Sequence, residues 1–559
     1  MLLVLVLWSV LAVCLIGVGL PVLRWVRAND GAPPHPLHPV FVGFIGIAAI
    51  VAIWNYFFPA RSGVQWTVVA FAAISIVHHR RMLGDWMTHW WARWKALGWP
   101  ARTAWAIVFL ITLVKSFSPS ESPDDGFYRV PYVQWIEQFR LTPGIANLED
   151  RFAFNSSAHL VSAFSAGLGL LPYGFGVNGL LMVVFAGFAI GGLDRCIKGS
   201  RSVADTVAAF GLFFLFRNML GSISADIPNI LMGQTLLVLA LRKVGSGNAT
   251  HADRDLLLIA LYAVFLPTLK LSSLFLLLVP LWFLWRIRCA GVRPAMGGIV
   301  VLALVVGLPW LGRFGLLSGY VVFPIHTIDV LEVDWKVPEI LVRQQFHYVS
   351  GFAKVNAKPW ESEAVQATGL RWVPTWFARE NMLNKLVALA VAGLLVMGTA
   401  LLLARGRRLW REQRDLLVLA VILALNIVIW FVRYPAFRFG WAWVVAFLAM
   451  GVHHVLHGMG PRVGRLGVVT LLFASLLQGA IMTGREARSL PANALVRPTH
   501  LDEAPFREVQ LGNVTVRVPL QFYCTTVPPP CLPPLWEGRI EARGQRPEDG
   551  FRFRPEHLR

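Results

Sequence analysis

The chain has 559 residues, is 56% hydrophobic and only 15% charged, and has a mean hydropathy of +0.58. Soluble globular chains carry about 25% charged residues, so that class is excluded. The net charge of +20 does not signal nucleic acid. Most Lys and Arg stand in short loops between apolar runs, where they follow the positive-inside rule and face anionic lipid.

Apolar runs of bilayer-crossing length, roughly 17–25 residues, recur along the chain. In order, spans are expected at 2–23, 39–58, 64–78, 104–117, 174–192, 204–220, 227–243, 256–270, 272–287, 297–316, 384–404, 415–432, 440–457 and 466–482. This is an all-α polytopic membrane protein of about 14 transmembrane helices. The first run is too long, and its flanks too basic on the wrong side, for a cleaved signal peptide. Connections rich in Lys and Arg, such as "RIRCAGVR" and "RGRRLWREQR", alternate with acidic, neutral or long ones. Placing the basic set in the cytoplasm satisfies every loop and puts both termini outside. His453, His454 and His457 then lie at the inner interface. Residues 1–483 form the transmembrane part and 484–559 an extracytoplasmic tail. No internal repeat or low-complexity tract is present.

The first outer segment, roughly 118–173, opens with Glu121, Asp124 and Asp125 in "SPSESPDDGFYRVPYVQW". Ser-Pro-Asp-Asp-Gly is turn chemistry. Carboxylates at the end of a span also suit work on a lipid-linked substrate, taking a proton from an acceptor hydroxyl or holding a divalent ion against a phosphate. Tyr128, Tyr132, Trp135 and Phe139 recur at spacings of three and four, with Arg129, Gln134 and Glu137 between them. That pattern predicts an amphipathic helix in the interface plane. "FNSSAHLVSAFSAGLGLLPYG" predicts a second interfacial or short helix, capped by Asn155 or Ser156.

Further polar groups stand at the outer ends of later spans. Asp226 opens one span with Pro228 just inside it, as a helix cap or a functional acid. Lys270 interrupts a long apolar stretch. A cation there either faces a polar ligand, most simply a phosphate, or snorkels to the interface. Arg433 and Arg438 occupy another outer turn, as phosphate forks or as anchors. The second outer segment, 317–383, with the span before it, supplies Arg313, Tyr320, Asp329, Asp334 and Lys336. Its Gly and Pro breaks predict an ordered loop with short helices. Cys14, Cys196 and Cys289 have no metal-ligand spacing, whereas Cys524 and Cys531 close a Pro-rich loop in the tail. A disulfide there, in an oxidising compartment, agrees with the side inferred from basic residues. No P-loop, GxSxG, HExxH or CxxC zinc pattern occurs, so neither ATP hydrolysis nor zinc chemistry is signalled.

An early outer acidic motif, interfacial helices, a second outward Asp and an extracytoplasmic tail together resemble the GT-C superfamily of membrane glycosyltransferases. "PDDGFYRVPYVQWIEQFRLTPGIANLEDRFAFNS", "PTLKLSS", "LSGYVVFPIHTIDVLEVDWKVP" and "FRFGWAW" more closely resemble an uncharacterised family of bacterial polytopic proteins with a D-x-G-x-Y element. The resemblance implies sugar transfer from a polyprenyl-phosphate donor to an envelope glycan, lipid or protein, outside the bacterial inner (cytoplasmic) membrane. It implies Asp124 or Asp125 as the base or ion-binding carboxylate. Asp125 directly precedes Gly126 and is the first choice, while Asp124 to Tyr128 supplies the D-x-G-x-Y spacing. A divalent cation (Mg or Mn), where one is used, would sit on either. Lys270 and Arg438 would bind the donor phosphate, and Tyr128, Arg129, Asn155, Asp226, Arg313, Tyr320 and Arg433 would contact substrate. Arg129 stands where many relatives have His. Two other readings are a polymerase or ligase of lipid-linked glycans, and a lipid or solute transporter. The outer clustering of polar residues and the lack of a repeat speak against transport.

Overall fold

The computed structural model describes residues 1–26, 34–118, 120, 122–212, 220–247, 254–291, 296–458, 460–488, 504–521, 523–554 and 556. Glu121 and residues 213–219 of the sixth expected span lie outside these.

The described chain is nearly all helical: α1 Leu2–Val26, α2 Leu37–Asn55, α3 Val64–His78, α4 Arg80–Ala96, α5 Trp99–Phe117, α6 Val130–Gln138, α7 Ser157–Ala166, α8 Val177–Ile197, α9 Val203–Phe210, α10 Asp226–Gly245, α11 Arg254–Leu269, α12 Leu278–Cys289, α13 Met296–Ser318, α14 Glu339–Val355, α15 Ser362–Ala367, α16 Val373–Arg379, α17 Met382–Arg433, α18 Phe437–Gly458 and α19 Pro461–Arg488. Among the described residues, eight helices are long and apolar enough to cross a membrane. They are α1, α2, α5, α8, α10, α12 with its leading turn, α13 and α17. Close approach in such a bundle needs small residues. At Gly43 of α2 a Cβ would fall 1.8 Å from the Leu15 carbonyl oxygen of α1.

Two expectations change shape. Residues 384–404 and 415–432 belong to the one helix α17, broken at Gln413 (φ −140°, ψ 35°). Leu394 lies against Gly451 and Trp430 against Gly440. A straight helix would separate Leu394 from Trp430 by about 54 Å, yet their α18 neighbours are only about 16 Å apart. The helix therefore folds back at Gln413. The basic stretch after α3 is not an open loop but the amphipathic helix α4, with Trp86 buried and Met87 and Trp91 exposed.

The first outer segment is compact. α6 forms where the aromatic spacing predicts a helix, but it is covered, with Val130 to Ile136 all buried. Its partners are α7 and the tail, whose Phe551 ring meets Trp135 edge-on at 6.0 Å. Ser156, not Asn155, caps α7, its side chain accepting from the Ala158 N–H. In the tail, β1 (Phe506–Leu511) pairs antiparallel with β2 (Val514–Pro519), and β3 (Ile540–Ala542) with β4 (Phe551–Phe553). Cys524 and Cys531 form a disulfide. Asn147 Nδ2 donates to the carbonyls of Gly144 (3.0 Å), Trp335 (2.9 Å) and Phe551 (3.0 Å), joining both outer segments to the tail. Asp334 of the second outer segment binds Arg543 and Arg552 of the tail.

Candidate functional site

α5 ends at Phe117, and the chain re-enters helix through a π-helical turn, Asp125–Arg129. Here the Val130 N–H reaches back to the Asp125 carbonyl, a widened turn that recurs at functional sites. Asp125 is 1% exposed. Its Oδ1 accepts from Arg129 Nη1 (2.9 Å) and Ser222 Oγ (2.8 Å), and its Oδ2 from Ser120 Oγ. Arg129 is buried too, at 4% exposed, and fans out. Nη1 also reaches Ser122 Oγ (3.0 Å) and Ser222 Oγ (3.2 Å), Nη2 reaches Asp124 Oδ2 (3.0 Å), and Nε reaches the Tyr128 hydroxyl (3.3 Å). Burial pushes the Tyr128 phenol above its usual range, so it stays protonated.

Asp124 differs from its neighbour by being 24% exposed. The same Oδ2 that binds Arg129 accepts from Arg438 Nη1 at 3.3 Å. Arg438, from the start of α18, lies over the Phe439 ring with Cζ 5.1 Å from the centroid. Lys270 Nζ lies 4.0 Å from that same centroid, a cation–π geometry. Lys270 is ion-paired with Asp226, the first residue of α10, where an acid suits the helix dipole. Ser224 Oγ holds the other Asp226 oxygen at 3.0 Å. Three carboxylates and three cations from four segments thus meet at one mouth.

The tail closes one side. The Phe127 and Tyr523 rings lie 4.1 Å apart, and a Cβ on Gly126 would come within 2.8 Å of Thr525 Cγ2. Arg151 covers the Phe127 and Tyr128 rings at 5.8 and 5.1 Å. Beside it, burial, then the nearby Glu149, push the Asp150 carboxyl up to about 8.

Of the residues singled out in the sequence, Asp124, Asp125, Tyr128, Arg129, Asp226, Lys270 and Arg438 come together. Asn155 and Arg313 do not. Arg313, 1% exposed, donates to Asn155 Oδ1 (3.1 Å), Asn55 Oδ1 (3.0 Å) and the Tyr132 hydroxyl (3.2 Å). Both therefore fasten the first outer segment to α2 and α13. Tyr320 is buried and donates to the Val337 carbonyl at 3.2 Å, within the second outer segment. Arg433 lines a separate cavity of about 310 Å³ with Lys354, Gln366 and Trp372. The sequence reading missed Ser120, Ser122, Ser222 and Phe439 as site members, and Tyr523 and Thr525 as its cover. The serine-rich "SISAD" beside Asp226 was the available signal for Ser222.

The donor set does not fit a divalent ion. Among the described residues no three His, Cys, Asp or Glu side chains are grouped as metal ligands. Asp124 and Asp125 are engaged by Arg129, and Asp226 by Lys270. An ion bridging any two carboxylates would lie against a guanidinium or ammonium group.

Neither curated proteins nor solved structures give a match. A family model, the domain of unknown function DUF8201, matches residues 1–445. Every charged member of the cluster, from Asp124 to Arg438, falls inside this match, while Tyr523 and Thr525 fall outside it. The chain belongs to the DUF8201 family.

Proposed function

We propose that this protein is a glycosyltransferase of GT-C type, moving a sugar from a polyprenyl-phosphate donor to an envelope acceptor on the extracytoplasmic face of the bacterial inner membrane. The observation that carries the reading is the pair Lys270 and Arg438 on one Phe439 ring, with the part-exposed Asp124 bound to Arg438. Two cations at the membrane surface suit a lipid phosphate. A carboxylate beside them suits a general base.

In this reading Asp124, not the enclosed Asp125, takes the acceptor proton. The acceptor oxygen then bonds to the anomeric carbon as the bond from that carbon to the phosphate oxygen breaks. The lipid phosphate leaves with both electrons of that bond, and Lys270 and Arg438 meet its charge. Arg129 and Asp125 position Asp124, and no step needs a metal. The reading also takes α3, α9, α11, α18 and α19 as spans and α17 as two, about 14 in all.

The test is transfer by the purified protein from a polyprenyl-phosphate sugar. Asp124→Asn and Lys270→Ala should each lose at least about 100-fold in rate, the scale of one general base or one electrostatic donor. Full activity in Asp124→Asn would sink the assignment of the base. No turnover with any lipid-linked donor, together with substrate movement in liposomes, would replace the reading with transport.

A further inference from the structure

The end of the bundle remote from the acidic site carries a second basic constellation. α2 ends at Asn55, whose side chain and carbonyl bond to Phe139 and Leu141 of the first outer segment. The turn Ala60–Ser62 packs on α6 and α7. From there α3 carries the chain about 22 Å away. At its far end a cavity of about 870 Å³ lies between α3, α4 and the end of α1. That size is within the roughly 300–1,000 Å³ of ligand sites.

Among the described residues, Arg24, Arg80 and Arg81 line this cavity with three histidines, against one acid, Asp85. Among the described residues none of the three arginines makes an ion pair or side-chain hydrogen bond. Trp86, 2% exposed, lines the cavity too, and among the described residues its Nε1 has no partner. His89 Nε2 is buried and likewise without a partner among them. An unfilled indole donor beside unneutralised arginines calls for an anion with several acceptor oxygens.

What leads to the cavity identifies the anion's carrier. Along α3, Trp66 (78% exposed), Ile74 (70%) and Val77 (64%) stand on one face with Phe71, and Val77 is itself a lining residue. An apolar stripe thus runs directly into a basic pocket. α4, which forms the pocket floor, is a Trp-rich basic amphipathic helix, the type that lies at a headgroup boundary. A soluble phosphate would use the pocket and ignore the stripe, whereas a phospholipid uses both.

We infer that this cavity binds the phosphate headgroup of an anionic phospholipid of the inner leaflet, whose acyl chains lie along the exposed face of α3. Basic pockets beside spanning helices on the cytoplasmic side are suited to such headgroups. The inference is independent of the outer chemistry.

The test is native mass spectrometry of the delipidated, detergent-purified full chain, with a thermal-shift titration in parallel. Phosphatidylglycerol and cardiolipin should be retained and should raise the unfolding temperature, while phosphatidylcholine does neither. Glycerol phosphate, which lacks acyl chains, should not compete. Arg24→Gln/Arg80→Gln/Arg81→Gln should bind the anionic lipid about 100-fold more weakly, roughly fivefold per arginine. Arg408→Gln, on a basic stretch outside the cavity, should bind as the parent does. Ile74→Glu should weaken retention without altering any cavity charge. Equal retention of phosphatidylcholine, competition by glycerol phosphate, or undiminished binding by the triple arginine variant would each overturn the inference.

Discussion

Removing Arg129 should uncover how the acidic motif is held. Arg129→Met keeps most of the side-chain volume but deletes the donors to Asp124, Asp125, Ser122 and Ser222. Asp125, 1% exposed, is then a buried carboxylate without its cation. Breaking such a pair from one side costs about 3–5 kcal/mol, because the remaining charge stays desolvated. Unfolding entropy is about 2.1 cal/mol/K per residue near 60 °C. Over 559 residues this is about 1.2 kcal/mol/K, so the unfolding temperature should fall by about 3–4 °C. The double variant Arg129→Met/Asp125→Leu removes both charges and should recover most of that loss. The assay is thermal unfolding of purified protein in detergent, read for the parent, both single variants and the double. An unchanged midpoint in Arg129→Met, or losses that simply add in the double, would refute a buried pair as the fastening.

Gly126→Ala should cost activity by pushing Thr525 away, since the new Cβ would meet Thr525 Cγ2 at 2.8 Å. Thr525→Ser removes that methyl, so Gly126→Ala/Thr525→Ser should regain activity in the same transfer assay. Asp150 predicts a pH dependence. Its folded value of about 8 lies above the unfolded value near 3.9, so the folded chain holds the extra proton between them. Stability should therefore fall as pH rises from about 5 to 8. Asp150→Asn should flatten that part of a plot of unfolding temperature against pH.

Much of the outer site was legible because membrane sequences make polar residues conspicuous. Lys270, Asp226 and Arg438 stood out against apolar neighbours, and topology put them on one side. That Arg438 and Arg433 part company was not legible. Arg433 closes α17 and Arg438 begins α18, and the turn between them sends one to Asp124 and the other to the cavity with Lys354. Nor could periodicity separate Asp124 from Asp125, since burial of Asp125 depends on Ser222, almost a hundred residues on. α6 was legible as a helix, but its cover was not. "VTVRVP" alternates with the period of a strand, yet nothing local says that β4 would reach Trp135. The basic stretch of α4 was read only for charge. Its tryptophans were the overlooked sign that it folds against the bundle.

The three bonds of Asn147 also set an order of events in the making of the protein. One ties it to Trp335 and another to Phe551, 188 and 404 residues further along the chain. Asp124 and its neighbours are made early in synthesis. Their surroundings stay unfinished until the last strands have been made and have docked. For most of translation the acidic motif lacks its cover of Tyr523 and Thr525. The assembled mouth is therefore a checkpoint on successful docking of the tail.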